Sequence, residues 1–205
     1  MYSNTSVIAF GGNLPTVAGL PAQSLVKAFE FLAEEGLFLR AISRFYRSPA
    51  FPAGSGPDYV NGCALMQGLL APDSLLAALH RVEARLGRER QTRWGARGID
   101  LDLIAVGDAI LPNAQTQAEW RALPLDVQMT RAPEELILPH PRIADRAFVL
   151  IPLAEIAPAW RHPATGETVM QMLDRRDPVE KASIVPFYAP FDGVRGLSIS
   201  EQGTK

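Results

Sequence analysis

Apolar and polar positions along the chain switch between two periods, and the switches divide it into elements. "SVIAF", residues 6–10, is an apolar run of strand length and reads as a buried strand. "GGNLP" follows and is expected to stop it, because Gly11, Gly12 and Asn13 tolerate positive φ and Pro15 cannot continue a strand. The spacing then turns helical in "SLVKAFEFLAEEG", with Leu25, Phe29 and Leu32 on one stripe and Gly36 placed to end the helix. "LFLRAISRFYRS", residues 37–48, alternates loosely, is rich in aromatics and predicts one strand. "PAFPAGSGP" is a loop and "DYVNGCALMQG" a further strand. "APDSLLAALHRVEARLG" is the clearest helix: Leu75, Leu79, Val82 and Leu86 form a stripe, Pro72 suits the first turn, Asp73 suits the positive end and Gly87 follows. "RERQTRWGARG" is a basic loop and "IDLDLIAVG" a strand. Residues 112–135 are polar and interrupted by prolines, an excursion from the pattern. "LILPHPRIADRAFVLIPLAEIAP" begins extended and ends helical, and "ETVMQMLDRR" predicts another helix.

The order strand, helix, strand, strand, helix, strand is the split βαβ pattern of an α+β ferredoxin-like sandwich, with a mainly antiparallel sheet and helices on one face. Residues 1–176 are expected to form the domain, and residues 177–205, without strong periodicity, a loosely held extension. The 205 residues suffice for a sizeable core, and 47% hydrophobic with 20% charged residues is a globular balance. A net charge of −2 argues against nucleic acid or anionic membrane as a partner of the whole surface, so an anion site must be local. The single cysteine, Cys63, forbids an intrachain disulfide. No apolar run approaches the ~20 residues that span a bilayer, and the N-terminus lacks the basic and apolar regions of a signal peptide; a cytoplasmic protein is expected.

Candidate chemistry concentrates in "RWGARGIDLDLI". Asp100 and Asp102 are two apart on a strand, so both carboxylates share one face while Ile99, Leu101 and Leu103 take the other. Two like charges so placed repel, and a divalent cation resolves the conflict; Mg²⁺ favours one or two carboxylates plus substrate phosphates. A bare D-x-D is more often a solvated strand face. Arg88, Arg90, Arg93 and Arg97 precede it within ten residues and offer forked donors suited to phosphate, which makes a metal and phosphate site competitive. Tyr59 and Asn61 are a second same-face pair, a stacking ring beside an amide. His140, between two prolines, neighbours Arg142, Arg146 and Phe148. Glu83 lies on the apolar stripe of its helix, where a carboxylate needs a partner: an arginine or a substrate.

Four segments together, "IAFGGNL", "SRFYRSPAF" with "PDYVNG", "RWGARGIDLDLI" and "LPHPRIADRAFVLIPLAEIAP", resemble those of the 6-hydroxymethyl-7,8-dihydropterin pyrophosphokinases over residues 6–175. The resemblance implies transfer of pyrophosphate from MgATP to the hydroxymethyl group of the pterin, releasing AMP. It implies two Mg²⁺ ions on Asp100 and Asp102, and Arg88, Arg93 and Arg97 on the phosphates. Ser48, Pro49, Phe51, Tyr59, Asn61 and Phe148 would hold the pterin, and Glu83, Arg90, Trp94, Leu103, His140 and Arg146 the nucleotide. The implied partners are these small molecules, neither nucleic acid nor membrane, for a monomer. Gly12, His80, Glu135 and Ile137 stand where other members carry serine, glutamine, arginine and threonine. Two other classes compete: a non-catalytic pterin- or nucleotide-binding relative, and an RNA-binding module, for which the aromatic strand pattern and basic sheet face are missing.

Overall fold

The computed structural model describes residues 4–50, 54, 56–88, 97–124, 127 and 130–188. Strands β1 (Thr5–Gly12), β2 (Phe38–Ile42), β3 (Tyr46–Ser48), β4 (Tyr59–Gln67), β5 (Asp100–Val106) and β6 (Val185–Pro186) form one sheet in the order β5-β1-β4-β3-β6, with β2 also on β4. Every pairing is antiparallel.

Helices cover both faces of this sheet, not one. Helices α1 (Pro21–Glu34) and α2 (Pro72–Arg85) pack on the face that carries Ile8, Phe10, Leu101 and Leu103. Helices α4 (Ala147–Ile156) and α5 (Val169–Asp174) pack on the face that carries Val7, Ala9, Cys63 and Ile104. That second layer explains why β1 is apolar at consecutive positions, the pattern of a strand buried on both sides. The α2 stripe is as expected: Leu75, Leu79, Val82 and Leu86 are all buried, each contributing about 1.5–3 kcal/mol by leaving water. Gly36 and Gly87 end α1 and α2 in the left-handed conformation that glycine favours.

Four expectations change. The strand expected over 37–48 is broken in two, because Ser43 turns inward and its hydroxyl accepts the Cys63 amide at 3.0 Å in place of a ladder bond. The glycines after "SVIAF" do not stop β1, which runs through Gly11 and Gly12 with neither glycine at positive φ. The excursion contains a capped helix, α3 (Ala114–Ala122), started by the Asn113 side chain accepting from the Thr116 amide at 2.9 Å. The extension is held as far as residue 187: helix α6 (Pro178–Ala182) leads into β6, which pairs with β3, and Ile184 is buried beside Tyr46 and Ala147. Among the described residues, no helix is long and apolar enough to cross a membrane.

Candidate active site

The three strands β5, β1 and β4 lie side by side, and their register sets out the site. Gly11 sits opposite Asp100 on one side and Asn61 on the other; Ala9 likewise separates Asp102 from Cys63. Laterally paired residues share a face, so Asp100, Asp102, Asn61 and Tyr59 all project from the α4 side of the sheet. Strand spacing of about 4.8 Å puts the backbones of Asp100 and Asn61 about 10 Å apart, with only the hydrogen of Gly11 between them. A methyl group at Gly11 would overlap Asn61 Oδ1. One at Gly12 would overlap the Gly98 carbonyl, which accounts for glycine there.

Each carboxylate is met by guanidinium. Arg88 Nη1 lies 2.8 Å from Asp100 Oδ1, Arg97 Nη1 lies 3.0 Å from Asp100 Oδ2, and Arg146 Nη1 lies 3.2 Å from Asp102 Oδ2. Arg88 also pairs with Glu83, whose Oε1 accepts the Leu101 amide at 2.7 Å. Glu83 is 1% exposed, beneath Arg88, so it steadies the arginine and the strand between the two aspartates. Burial pushes its carboxyl up to about 7, against the pull of Arg88 and the Leu101 amide. Asp100 is raised by burial and by Asp102, with Arg97 and Arg88 opposing. The pair therefore demands positive charge. Two adjacent carboxylates fit a divalent cation that takes its other ligands from water and phosphate; among the described residues no group of three or more His, Cys, Asp or Glu side chains offers a closed cage.

On the β4 side of Gly11, Asn61 is buried and its Nδ2 donates to Ser48 Oγ at 2.7 Å, which fixes the amide's orientation. Tyr59 is half-buried one step along β4, while Pro49 is exposed. Phe148 stands in the first turn of α4, with the Arg146 guanidinium 5.8 Å from its ring centre. His140 is tied to β5: its amide donates to the Ile104 carbonyl at 2.8 Å, and its Nδ1 accepts the Arg142 amide at 3.1 Å. Burial, Arg146 and Arg142 push the ring down to about 3, so it is neutral and its other nitrogen carries the proton. Cys63 is buried, its thiol pushed far up by burial, and no nucleophile.

Of the expected residues, Asp100, Asp102, Arg88, Arg97, Arg146, His140, Tyr59 and Asn61 are placed on or around one sheet face. The Leu103 side chain lies in the core beneath α1 and α2, on the opposite face from the aspartates, as the strand alternation predicts. Phe51, Arg90, Arg93 and Trp94 lie outside the described residues. Ile137 is buried and Glu135 exposed, while His80 is half-buried on α2. Two positioning residues escaped the sequence reading. Asn13 donates to the Pro57 carbonyl at 2.9 Å and accepts the Arg97 amide at 2.8 Å, so it ties together the loops on either side of the site. Gln117 of α3 is fully buried and donates to the Pro139 carbonyl at 3.2 Å, holding the segment that presents His140. Only the placement of Asn13 directly after two glycines hinted at either.

Carboxylates paired with arginines on a rigid sheet, facing a fixed amide and a ring, define a phosphotransferase class of site. Residues 7–158 match the family model described as 7,8-dihydro-6-hydroxymethylpterin-pyrophosphokinase, and the chain belongs to that family. It is 36% identical over 173 residues to a 2-amino-4-hydroxy-6-hydroxymethyldihydropteridine pyrophosphokinase of Synechocystis sp., covering 84% of this chain and 76% of the relative. The enzyme of that name from Haemophilus influenzae is 34% identical over 154 residues, 75% of this chain and 81% of the relative. Among solved structures, an HPPK-DHPS in complex with substrates superposes with a TM-score of 0.58 at 12% identity, over 85% of this chain. The present chain spans 43% of that one's length, and the likeness shows the fold.

Proposed function

We propose that this chain carries out the reaction of its family: transfer of a pyrophosphoryl group from MgATP to the hydroxymethyl group of 6-hydroxymethyl-7,8-dihydropterin, releasing AMP, in folate biosynthesis. The observation that carries the proposal is the shared sheet face, with Asp100 and Asp102 on one side of Gly11 and Asn61 and Tyr59 on the other. Such a transfer asks for alignment and charge neutralisation more than for covalent chemistry. Asp100 and Asp102 would hold two Mg²⁺ ions, which when bound neutralise the polyphosphate and acidify the attacking hydroxyl. Arg88 and Arg97, with Arg93, would orient the phosphates, and Arg90 and Trp94 would belong to the nucleotide side. Neutral His140 would donate a hydrogen bond to the nucleotide. Tyr59 and Phe148 would flank the pterin ring, and Asn61, held by Ser48, would read its edge beside Pro49 and Phe51. Glu83 would act through Arg88.

The order β5-β1-β4 with β2 and β3 beyond supports the finer description of the core as ferredoxin-like, with α4 to α6 added on the second face. The chain would work as a cytoplasmic monomer on these two small molecules. The test is to supply MgATP and the pterin and identify the nucleotide product. AMP is the expected product; ADP would indicate an ordinary kinase, and binding of both ligands without turnover would indicate a binding module.

A further inference from the structure

With every carboxylate ionised, the described side chains around the pair balance: Glu83, Asp100 and Asp102 against Arg88, Arg97 and Arg146. The three arginines are not held alike. Arg88 is shared by Glu83 and Asp100, so it keeps a buried carboxylate if Asp100 turns to another cation. Arg97 is fastened through its backbone, whose amide donates to Asn13 Oδ1 at 2.8 Å and whose carbonyl accepts from Asn13 at 2.9 Å. Arg146 is anchored by its backbone at the start of α4, where its carbonyl accepts the Val149 and Leu150 amides at 3.0 Å, but its guanidinium, unlike that of Arg88, is not shared between two carboxylates. Among the described residues Asp102 is the one carboxylate it pairs with, its side chain is only 19% exposed, and it stands at the junction of Asp102, Phe148 and His140.

We infer that Arg146 is an exchangeable stand-in for metal: it occupies Asp102 until a polyphosphate arrives to take its charge, and so couples metal entry to nucleotide entry. This rests on the reading of Asp100 and Asp102 as the metal-binding pair. A bare divalent cation on Asp102 leaves a half-buried guanidinium without its counter-charge and overloads a balanced site, which is costly away from water. A cation that arrives with polyphosphate brings the anion that receives Arg146, and the balance is kept. The coupling is reciprocal, so metal and nucleotide raise each other's affinity by one factor, and Arg146 supplies part of it.

Mn²⁺ serves as the probe, its binding followed by electron paramagnetic resonance with and without α,β-methylene-ATP, in the wild-type chain and in Arg146→Gln and Arg146→Lys. Without nucleotide, Arg146→Gln is expected to bind Mn²⁺ about five- to ten-fold more tightly than wild type, and the enhancement given by the nucleotide is expected to shrink by a similar factor. Arg146→Lys keeps the competing charge and is expected to behave as wild type. Equal Mn²⁺ affinity of wild type and Arg146→Gln without nucleotide overturns the inference, as does the same gain in the lysine variant. Asp102→Asn separates this from the underlying reading. If it abolishes tight Mn²⁺ binding in the presence of the nucleotide while Arg146→Gln changes nothing, only the exchange role falls; if Asp102→Asn leaves that binding intact, the metal assignment falls with it.

Discussion

Gly11 has no side chain, and the site is built around that. It separates a carboxylate from an amide on the two strands that flank β1, and the amide leans over it. Gly11→Ala leaves a backbone that any residue adopts, yet its methyl displaces Asn61 from Ser48. Pterin affinity should fall about ten-fold while nucleotide affinity holds, measured by titration of each ligand; unchanged pterin affinity would show that Asn61 does not read the ring. Asp100→Ala and Asp102→Ala should each cut AMP formation by about a thousand-fold or more with the fold intact, since each removes a ligand of the cations that would neutralise the transferred group. Near-normal turnover in both would remove the metal role. At His140 the prediction is spectroscopic. With the ring at about 3 against 6.5 when unfolded, the folded chain binds fewer protons than the unfolded one between those values. Stability from this residue is therefore complete above about pH 6.5 and is lost as the pH falls toward 3. Its ring resonances should stay flat from pH 8 to pH 5, and a midpoint near 6.5 would contradict the buried, arginine-flanked setting.

At the scale of elements, α2 and β5 are joined by a buried carboxylate as well as by apolar packing. Glu83 reaches across to the Leu101 amide, the residue between the two aspartates, and keeps Arg88 on the site. Its carboxyl is raised to about 7 from an ordinary 4.5. The folded chain then binds more protons than the unfolded one between those values, so this group's contribution to stability falls as the pH rises from about 4.5 through 7. That slope is opposite in sign to His140's. Glu83→Gln should flatten it, read as urea midpoints at a series of pH values, and should weaken turnover through Arg88; an unchanged pH slope would mean that the carboxylate is ionised throughout. The same logic of reach applies to α3. Its one fully buried polar side chain, Gln117, holds Pro139 and with it the approach to His140, so the excursion braces the site from behind.

At the scale of the whole molecule, the chain's last described stretch closes the structure. Glu180 accepts the Ala147 amide at 3.1 Å at the start of α4, Ile184 fills the space beside Tyr46 and Ala147, and β6 adds to the sheet beyond β3. Phe148 is the next residue after Ala147, so the C-terminal return supports the turn that presents Phe148. Ile184→Ala should lower stability by about 2 kcal/mol, seen as a lower urea midpoint at unchanged slope. No change would mean that 178–187 only rest on the surface.

Local rules alone determined a good deal. The stripes of α1 and α2, the proline start of α2, the glycine ends of both, and the opposed faces of "IDLDLI" follow from local periods and propensities, which neighbouring residues set by themselves. So does the closeness of the arginine cluster to Asp100, because Arg88 and Arg97 lie within fifteen residues of it. What only the tertiary structure decided are relations between segments far apart in the chain. Helices on the second face were hidden because a strand buried on both sides shows no alternation. The glycines of "GGN" read as a turn because local propensity knows φ and not that Asn61 and Gly98 press against them. Asn13, Gln117 and the grip of Arg146 on Asp102 are matters of distance between loops, which no period along the chain encodes.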